Sequence, residues 1–201
     1  MKQFIAILLS AAMLACAGAE PVSAADETAI FAGGCFWGVE AVFEHVKGVK
    51  DVRSGYAGGT KGSANYETVS GGATKHAESV EVRFDPAKVS YEQLLEVFFT
   101  VIHDPTQLNR QGPDVGPQYR SAIFYTNEAQ KTAAEAMIAM LKTSKKFAQP
   151  IVTEVQPFKE FFEAEDYHQD YMKKNPEDPY IVYHDKPKVE ALRQNFPKLF
   201  R

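Results

Sequence analysis

The amino-acid sequence predicts an α+β fold with a ferredoxin-like two-layer sandwich as its core. Stretches that alternate polar and apolar residues indicate strands, and stretches with apolar residues at helical spacing indicate helices. These elements come in the order strand, helix, strand, strand, helix, strand, which is that of a split βαβ unit. The chain has 201 residues, 45% of them hydrophobic and 24% charged, which suffices for one domain with its own core.

The first half of the chain contains three predicted strands and one helix. Gly33 and Gly34 end the first strand. Residues 57–72, rich in glycine, serine, threonine and asparagine, predict a long loop, and such loops in compact domains are often functional. The predicted elements are a strand over residues 28–32, a helix over 35–46, and strands over 49–56 and 78–84.

The second half begins with a helix that Ser90 opens as N-cap, and Gln93 completes a capping box. Residues 103–118 contain several glycines and prolines and predict a second long loop. From Phe158 onwards the chain is aromatic and charged, which predicts an irregular C-terminal extension. The remaining predicted elements are a strand over 120–125, a helix from Asn127 to about 145, a strand over 151–155 and a short helix over 166–173.

Residues 1–24 have the layout of a secretory signal peptide. Lys2 is followed by an apolar stretch over residues 4–14 and then by small residues, so cleavage is expected after Ala19 or Ala24. The mature domain would then span residues 25–201, and the protein would be exported, to the periplasm in a bacterium. Two alternatives remain: a retained membrane anchor, and a lipoprotein anchored through Cys16, whose preceding residues loosely match a lipobox.

Charge and cysteine content exclude several classes of protein. With 22 Lys+Arg against 26 Asp+Glu, the net charge is -4, which gives no reason to expect nucleic acid binding. The only cysteines, Cys16 and Cys35, exclude a disulfide-dense scaffold and any site with three thiolates. Once the signal peptide is removed, Cys35 is the only thiol. Because exported proteins usually pair their cysteines, a single one calls for a chemical explanation.

Cys35 lies where the first strand turns into the first helix. The positive end of the helix dipole and the free backbone N–H groups of the first turn should lower the pKa of its thiol. The adjacent Phe36 and Trp37 would form an apolar wall. These features favour a nucleophile over the alternative, a buried structural cysteine that behaves as a small hydrophobic residue.

Other polar residues are candidates for acid–base chemistry. His76 and Glu78 point to the same face of their strand, so either could serve Cys35, although alternating charges also mark the solvated face of a sheet. A metal site built from His76, His103 and His168 is disfavoured, because these histidines lack the short helical spacing of strong zinc motifs.

Several motifs together resemble the A-type peptide methionine sulfoxide reductases. They are Gly34-Cys35-Phe36-Trp37-Gly38, Gly55-Tyr56-Ala57-Gly58-Gly59, His76-Ala77-Glu78, the loop from Asn109 to Ser121, and Ala164-Glu165-Asp166-Tyr167-His168-Gln169. The resemblance runs from about Ala29 to Asn175. It implies an α/β roll with a ferredoxin-like core and reduction of the S epimer of methionine sulfoxide, free or in oxidised proteins, without a metal or cofactor.

The resemblance also implies a role for each matching residue. Cys35 would be the nucleophile, and Glu78 the acid that protonates the sulfoxide oxygen. Tyr66 and Tyr119 would hydrogen-bond that oxygen. The substrate-binding residues would be Phe36 and Trp37, which would hold the S-methyl group, and Asp114, which would orient the substrate or a bound water.

The sequence departs from many relatives in two places. Lys75 replaces a glycine before the His-Ala-Glu motif, which adds a cation near the site. Residues 174–201 contain no cysteine, whereas many relatives carry resolving cysteines there. An oxidised Cys35 would therefore need an external reductant: a thioredoxin-like or glutaredoxin-like protein, or a small thiol. The protein is expected to act as a monomer.

Two other classes of function remain open from the residues alone. One is a cysteine hydrolase or acyltransferase in which His76, His103 or His168 is the base for Cys35. The other is an exported binding or structural protein with an inert cysteine.

Overall fold

A computed structural model describes residues 25–201, so the predicted signal peptide and Cys16 lie outside the described residues. Within them, no helix is long and apolar enough to cross a membrane. The helices are α1 (Phe36–Glu44), α2 (Tyr66–Ser70), α3 (Tyr91–Val97), α4 (Glu128–Thr143), α5 (Tyr171–Lys174) and α6 (Lys186–Asn195). The strands are β1 (Glu27–Gly33), β2 (Val49–Ala57), β3 (Ala77–Phe84), β4 (Arg110–Gln111), β5 (Asp114–Val115), β6 (Ser121–Tyr125), β7 (Glu154–Pro157) and β8 (Phe161–Glu163).

Six strands form one mixed sheet in the order β7-β6-β1-β3-β2-β8. All neighbours in this sheet are antiparallel except β6 and β7, which are parallel. Strands β4 and β5 form a separate two-stranded hairpin. The prediction of an α+β fold is confirmed.

The two faces of the sheet carry hydrophobic clusters of different size, and alternate side chains of β1 belong to one or the other. Ala29 and Phe31 belong to the large core between the sheet and the helices, and the Phe31 ring packs on Phe43 of α1 at 5.1 Å between ring centroids. Ile30 and Ala32 face the other way, into a small cluster of mostly short side chains. The large core therefore lies on the face that carries α1, and this helix positions the residues of the site.

The structure corrects several predicted boundaries. The predicted helix over 35–46 is α1, which begins at Phe36 and ends at Glu44. The strand expected over 151–155 is β7, which starts later, at Glu154. The loop 57–72 contains α2, the loop 103–118 contains the β4–β5 hairpin, and α6 lies in the extension expected to be irregular. These missed elements are too short or too polar to show a hydrophobic period: α6 buries only Leu192.

The predicted N-cap residues located the starts of two helices correctly. Ser90 and Gln93 form the predicted capping box at the start of α3. The Asn127 side chain caps α4 by accepting a hydrogen bond from the Gln130 backbone N–H at 2.9 Å. Beyond Val97 the chain continues as a π-helical turn over Phe98–Ile102, which lies within the predicted helix and buries Phe98 and Phe99.

Glu40 is a buried acid on α1 that makes stability depend on pH. It is 2% exposed, and burial raises the pKa of its carboxyl to about 8, although the Asp170 backbone N–H acts in the opposite direction. An unfolded chain ionises this group near its ordinary value of 4.5. Between these two pKa values the folded chain holds a proton that the unfolded chain releases. The free energy of unfolding should therefore fall as pH rises, by about 1.4 kcal/mol per pH unit for this one group.

Glu40→Gln should remove this dependence, because the amide cannot ionise and its oxygen can still accept the Asp170 hydrogen bond. At pH 7 we expect the variant to be more stable than the parent by about 3 kcal/mol, with a smaller loss of stability between pH 5 and pH 8. Urea unfolding at several pH values measures both quantities. Glu135→Gln on the exposed side of α4 is the control, with a change below about 0.5 kcal/mol. A parallel pH dependence in parent and Glu40→Gln would contradict the prediction.

Candidate active site

Cys35 is the N-cap residue of α1, and only Gly34 separates it from the end of β1. The turn into the helix depends on Gly34, which has a φ of +98°. A Cβ atom on Gly34 would also lie 2.7 Å from the side chain of Gln111, which belongs to β4. Both the backbone conformation and the close approach therefore require glycine before the nucleophile candidate.

Glu78 reaches the same place from β3. Its side chain is 2% exposed, and Oε2 accepts a hydrogen bond from the Phe36 backbone N–H at 3.1 Å. Burial raises the pKa of this carboxyl to about 8. The Phe36 N–H lowers the pKa, and the nearby Asp114 raises it further. At neutral pH, Glu78 is therefore mainly a neutral acid that holds a proton next to Cys35.

The two residues share a cavity of about 170 Å³. This cavity brings together all seven site residues that the sequence predicted, and it has one lining residue that the sequence did not identify. The lining residues are Cys35, Phe36, Trp37, Tyr66, Glu78, Asp114, Tyr119 and Tyr180. Tyr66 comes from the first long loop of the sequence, Asp114 comes from the second, and Tyr119 directly follows the second, so both loops fold over the start of α1.

The ionisation of Cys35 differs from the sequence-based expectation. The thiol is 8% exposed, and its pKa is raised well above its ordinary value. Burial is the largest cause, followed by the negative charges of Glu78 and Asp185, while the Trp37 backbone N–H lowers the pKa. The helix start does favour the thiolate, as expected, but burial and the surrounding carboxyl groups outweigh it. Because Glu78 is mainly neutral at pH 7, its contribution grows only at higher pH.

The aromatic wall of the cavity is fixed from the C-terminal region. The Trp37 indole stacks on Tyr171 of α5, with ring centroids 3.6 Å apart and planes 5° from parallel. Its Nε1–H donates to His168 Nδ1 at 3.1 Å. Phe36 is fully buried, with its ring 4.9 Å from the His168 ring. An apolar surface held this rigidly suits a small apolar group such as a methyl.

Two of the three tyrosines of the cavity, Tyr66 and Tyr180, are anchored by acids. The Tyr66 backbone N–H donates to Glu165 Oε1 at 2.9 Å, and the same carboxylate accepts from the hydroxyl of Tyr56. At the opposite side, the Tyr180 hydroxyl donates to Asp114 Oδ2. Burial raises the pKa of Tyr180, so its hydroxyl remains a donor at any pH near neutrality.

Tyr180 was missed because nothing in its sequence neighbourhood distinguishes it. It lies in the aromatic and charged extension, among several exposed tyrosines such as Tyr183. Only its contact with Asp114, 66 positions earlier in the chain, identifies it. Tyr180 and Tyr183 look alike in the local sequence, and only the folded chain shows that Tyr180 belongs to the cavity.

The candidate histidine bases of the hydrolase alternative do not line the cavity. His76 bonds the carbonyl oxygen of Thr60 at 3.0 Å through Nε2. His103 lies between the Phe98 carbonyl at 2.9 Å and Ser121 Oγ at 2.7 Å. His168 holds Trp37. Across residues 25–201, no group of three or more His, Cys, Asp or Glu side chains is placed to hold a metal ion.

A larger surface groove of about 790 Å³ lies between α3 and α4. Alanine, threonine, methionine and glutamate side chains line it, and it contains neither a cysteine nor a histidine. It has no arrangement of a nucleophile and an acid, so the chemistry of this molecule is concentrated in the smaller cavity at Cys35.

Comparison with protein families gives a match over most of the chain. Residues 27–199 match the family described as peptide methionine sulfoxide reductase. The chain is 59% identical over 170 residues to peptide methionine sulfoxide reductase MsrA 2 of Synechocystis sp., covering 85% of this chain and 79% of that protein. It is 57% identical over 181 residues to MsrA 2 of Mesorhizobium japonicum, covering 90% and 93% of the two chains.

Solved structures give the same result. Mxr1 from Saccharomyces cerevisiae in reduced form has a TM-score of 0.72 and 34% identity, over 79% of this chain and 90% of that one. Methionine sulfoxide reductase A of Corynebacterium diphtheriae has a TM-score of 0.67 and 34% identity, over 81% of each chain. Mxr1 has also been solved in complex with Trx2, and that structure shares the fold at a TM-score of 0.52 and 24% identity.

Proposed function

Because the chain belongs to the peptide methionine sulfoxide reductase family, we propose that its Cys35 cavity reduces the S epimer of methionine sulfoxide to methionine, in oxidised proteins or as the free amino acid. The enzyme thereby repairs oxidised proteins. One observation carries this assignment: a lone buried thiol shares an apolar-walled cavity with Glu78, a carboxyl group that keeps its proton at neutral pH.

A sulfoxide needs both of these groups. Its oxygen is a poor leaving group until it gains a proton, so a thiol nucleophile requires an acid beside it. The thiolate of Cys35 attacks the sulfoxide sulfur, and Glu78 gives its proton to the oxygen. The net reaction converts methionine sulfoxide and the Cys35 thiol into methionine and a sulfenic acid on Cys35. Sulfur in the substrate is reduced by two electrons, and sulfur in Cys35 is oxidised by two.

The other lining residues bind the substrate. Tyr66 and Tyr119 present hydroxyl groups to the sulfoxide oxygen, and burial raises the pKa of both, so each remains a hydrogen-bond donor. Phe36 and Trp37 hold the S-methyl group. Asp114, already bonded to the Tyr180 hydroxyl, orients the substrate or a water molecule. With the methyl and the oxygen placed on different walls, only one sulfoxide epimer presents its sulfur to Cys35.

An external thiol completes the cycle, because residues 36–201 contain no second cysteine. A first thiol attacks the sulfenic acid, releases water and forms a mixed disulfide with Cys35. A second thiol then attacks that disulfide and restores Cys35. A thioredoxin-like protein is the preferred donor in this proposal, supported by the complex of the related Mxr1 with Trx2; glutaredoxin-like proteins and small thiols are the alternatives.

Several finer assignments rest on the sequence and the topology. The enzyme is an exported, periplasmic form that is cleaved after Ala19 or Ala24, supported by the signal-peptide pattern of residues 1–24; lipidation of Cys16 is the alternative. In this proposal it acts as a monomer. The core is ferredoxin-like, supported by the order β6-β1-β3-β2 within the sheet. Cell fractionation, with the mass of the recovered chain, tests the export and the cleavage site together.

A single-turnover reaction tests the function itself. Protein with reduced Cys35 is mixed with a peptide carrying either the S or the R epimer of methionine sulfoxide, without any reductant, and intact mass is then measured. We expect about one equivalent of methionine from the S epimer alone, and a sulfenic acid on Cys35 that dimedone traps. No methionine from either epimer would overturn the proposal. A stable acyl adduct on Cys35 after treatment with esters would instead support the hydrolase reading.

A further inference from the structure

Asp185 is a buried carboxylate close to Cys35 that the reaction described above does not use. It lies at the end of a π-helical turn, Ile181–Asp185, directly before α6, and its side chain is fully buried. Its Oδ1 accepts a hydrogen bond from Lys188 Nζ at 3.0 Å. Its Oδ2 has no hydrogen-bond partner. A buried, half-satisfied carboxylate is costly, so its presence calls for a role.

The carboxylate is pressed against the first turn of α1. A Cβ atom on Gly38, three residues after Cys35, would lie 2.1 Å from Asp185 Oδ1 and 2.9 Å from Lys188 Nζ. Glycine at this position is what allows the ion pair to approach the helix. The negative charge therefore lies at the positive end of α1, the same end that would stabilise a thiolate on its N-cap residue.

Other ionisable groups also face Cys35, and Asp185 is one of three acids among them. Glu78 comes from β3 and Asp114 from β5. Asp185 itself is influenced by Lys188, Asp114 and His184. The tyrosines that face the thiol are Tyr66, Tyr119, Tyr171 and Tyr180. Burial raises the pKa of Asp185 above its ordinary value, and the ion pair with Lys188, which neither of the other two acids has within residues 25–201, acts against this rise and favours the ionised form.

We propose that Asp185 is a positioning residue for the Cys35 nucleophile: its charge, held against the first turn of α1, keeps the thiol protonated in the enzyme that has not yet bound substrate. The proposal builds on the proposed function, in which Cys35 is the nucleophile. The direction of the Cys35 pKa agrees with it, since Asp185 contributes to the rise after burial and Glu78.

Such a device would protect an enzyme that works where oxidants are abundant. Peroxide reacts with the thiolate: the sulfur attacks one peroxide oxygen, the O–O bond breaks, hydroxide leaves and Cys35 becomes a sulfenic acid. A second such reaction gives sulfinic acid, which thiols do not reduce. Keeping the resting sulfur protonated slows the first step and thereby limits the sulfenic acid available for the second, while the enzyme retains a nucleophile for a sulfoxide that is bound in place.

The pH dependence of Cys35 alkylation by iodoacetamide, located by peptide mass mapping of the full chain, tests the proposal. In Asp185→Asn the amide oxygen can still accept from Lys188, but the charge is lost. We expect the Cys35 pKa to fall by about one unit, with alkylation about tenfold faster at a fixed pH below that pKa. Inactivation by hydrogen peroxide should accelerate to a similar extent.

Two further variants separate charge from structure. Asp185→Glu retains the charge and should retain the high pKa of Cys35. Glu190→Gln, on the solvent-exposed side of α6 where it pairs with Arg193, should leave that pKa unchanged. A Cys35 pKa in Asp185→Asn equal to the parent's would overturn the proposal, as would an equal fall in Asp185→Glu. Because this readout needs no sulfoxide, failure of the reductase assignment would appear separately, in the single-turnover reaction.

Discussion

Cys35→Ser is expected to abolish methionine formation from the S epimer, to below the detection limit of the single-turnover reaction. A serine hydroxyl in this cavity stays protonated, because an alcohol is a much weaker acid than a thiol, and the burial that raises the pKa of the Cys35 thiol disfavours ionisation further. Serine also forms no counterpart to a sulfenic acid, so it cannot take up the oxygen that the sulfoxide loses. The measurement is methionine released per enzyme molecule, with intact mass on the same sample.

The fold should tolerate this change, since oxygen replaces sulfur at an N-cap position that favours serine. Equal thermal midpoints in the two proteins would show that the loss is chemical. Methionine release by Cys35→Ser at a tenth of the parent's rate or more would remove Cys35 from the reaction. Retained ester hydrolysis in this variant would point to acyl transfer, in which serine can replace cysteine.

Glu78→Gln should lower the rate constant of the reductive step by about 10²–10⁴-fold, the usual contribution of a positioned general acid. The amide oxygen can still accept the Phe36 hydrogen bond, so the variant isolates the loss of the proton. Stopped-flow or quenched mixing with the S epimer measures the rate constant. A rate unchanged within threefold across the pH range would exclude Glu78 as the acid.

The pH profile gives a sharper test of the same residue. Below pH 8 the rate of the parent at low substrate concentration should rise with pH, because the fraction of Cys35 thiolate rises. Above about pH 8 the profile should level off, since the fraction of protonated Glu78 then falls with pH by the same factor as the fraction of Cys35 thiolate rises. In Glu78→Gln the rise should continue through pH 8 until Cys35 itself is fully ionised. A plateau at the same pH in both proteins would assign it to another group.

The sequence could predict the residues of the site better than their ionisation. Motifs identified Cys35 and Glu78 because each lies within a short run of distinctive neighbours. The helix-start argument then predicted a low pKa for the Cys35 thiol, whereas the structure raises it. Burial depth and the approach of Asp185 depend on residues about 150 positions away, and no local pattern reports them.

The same reasoning explains which elements of the fold were found. Strand β1 is a short apolar run that ends at two glycines, and β3 alternates polar and apolar residues, so local patterns located both strands. Helix α2 has five residues and is fixed by its Asn65 cap and by Glu165, a contact from the far end of the chain. Because tertiary contacts stabilise this helix, its local sequence alone predicts a loop.

The cavity draws its walls from nearly the whole length of the chain, from Cys35 to Tyr180. A ribosome adds about 5–20 residues per second, so Tyr180 is synthesised about 7–30 s after Cys35. During that interval the cavity around the thiol is incomplete, because Tyr180 and Asp185 have not yet been synthesised. The nascent thiol therefore has the ordinary reactivity of an exposed cysteine, and its protection begins only when the last third of the chain docks on α1.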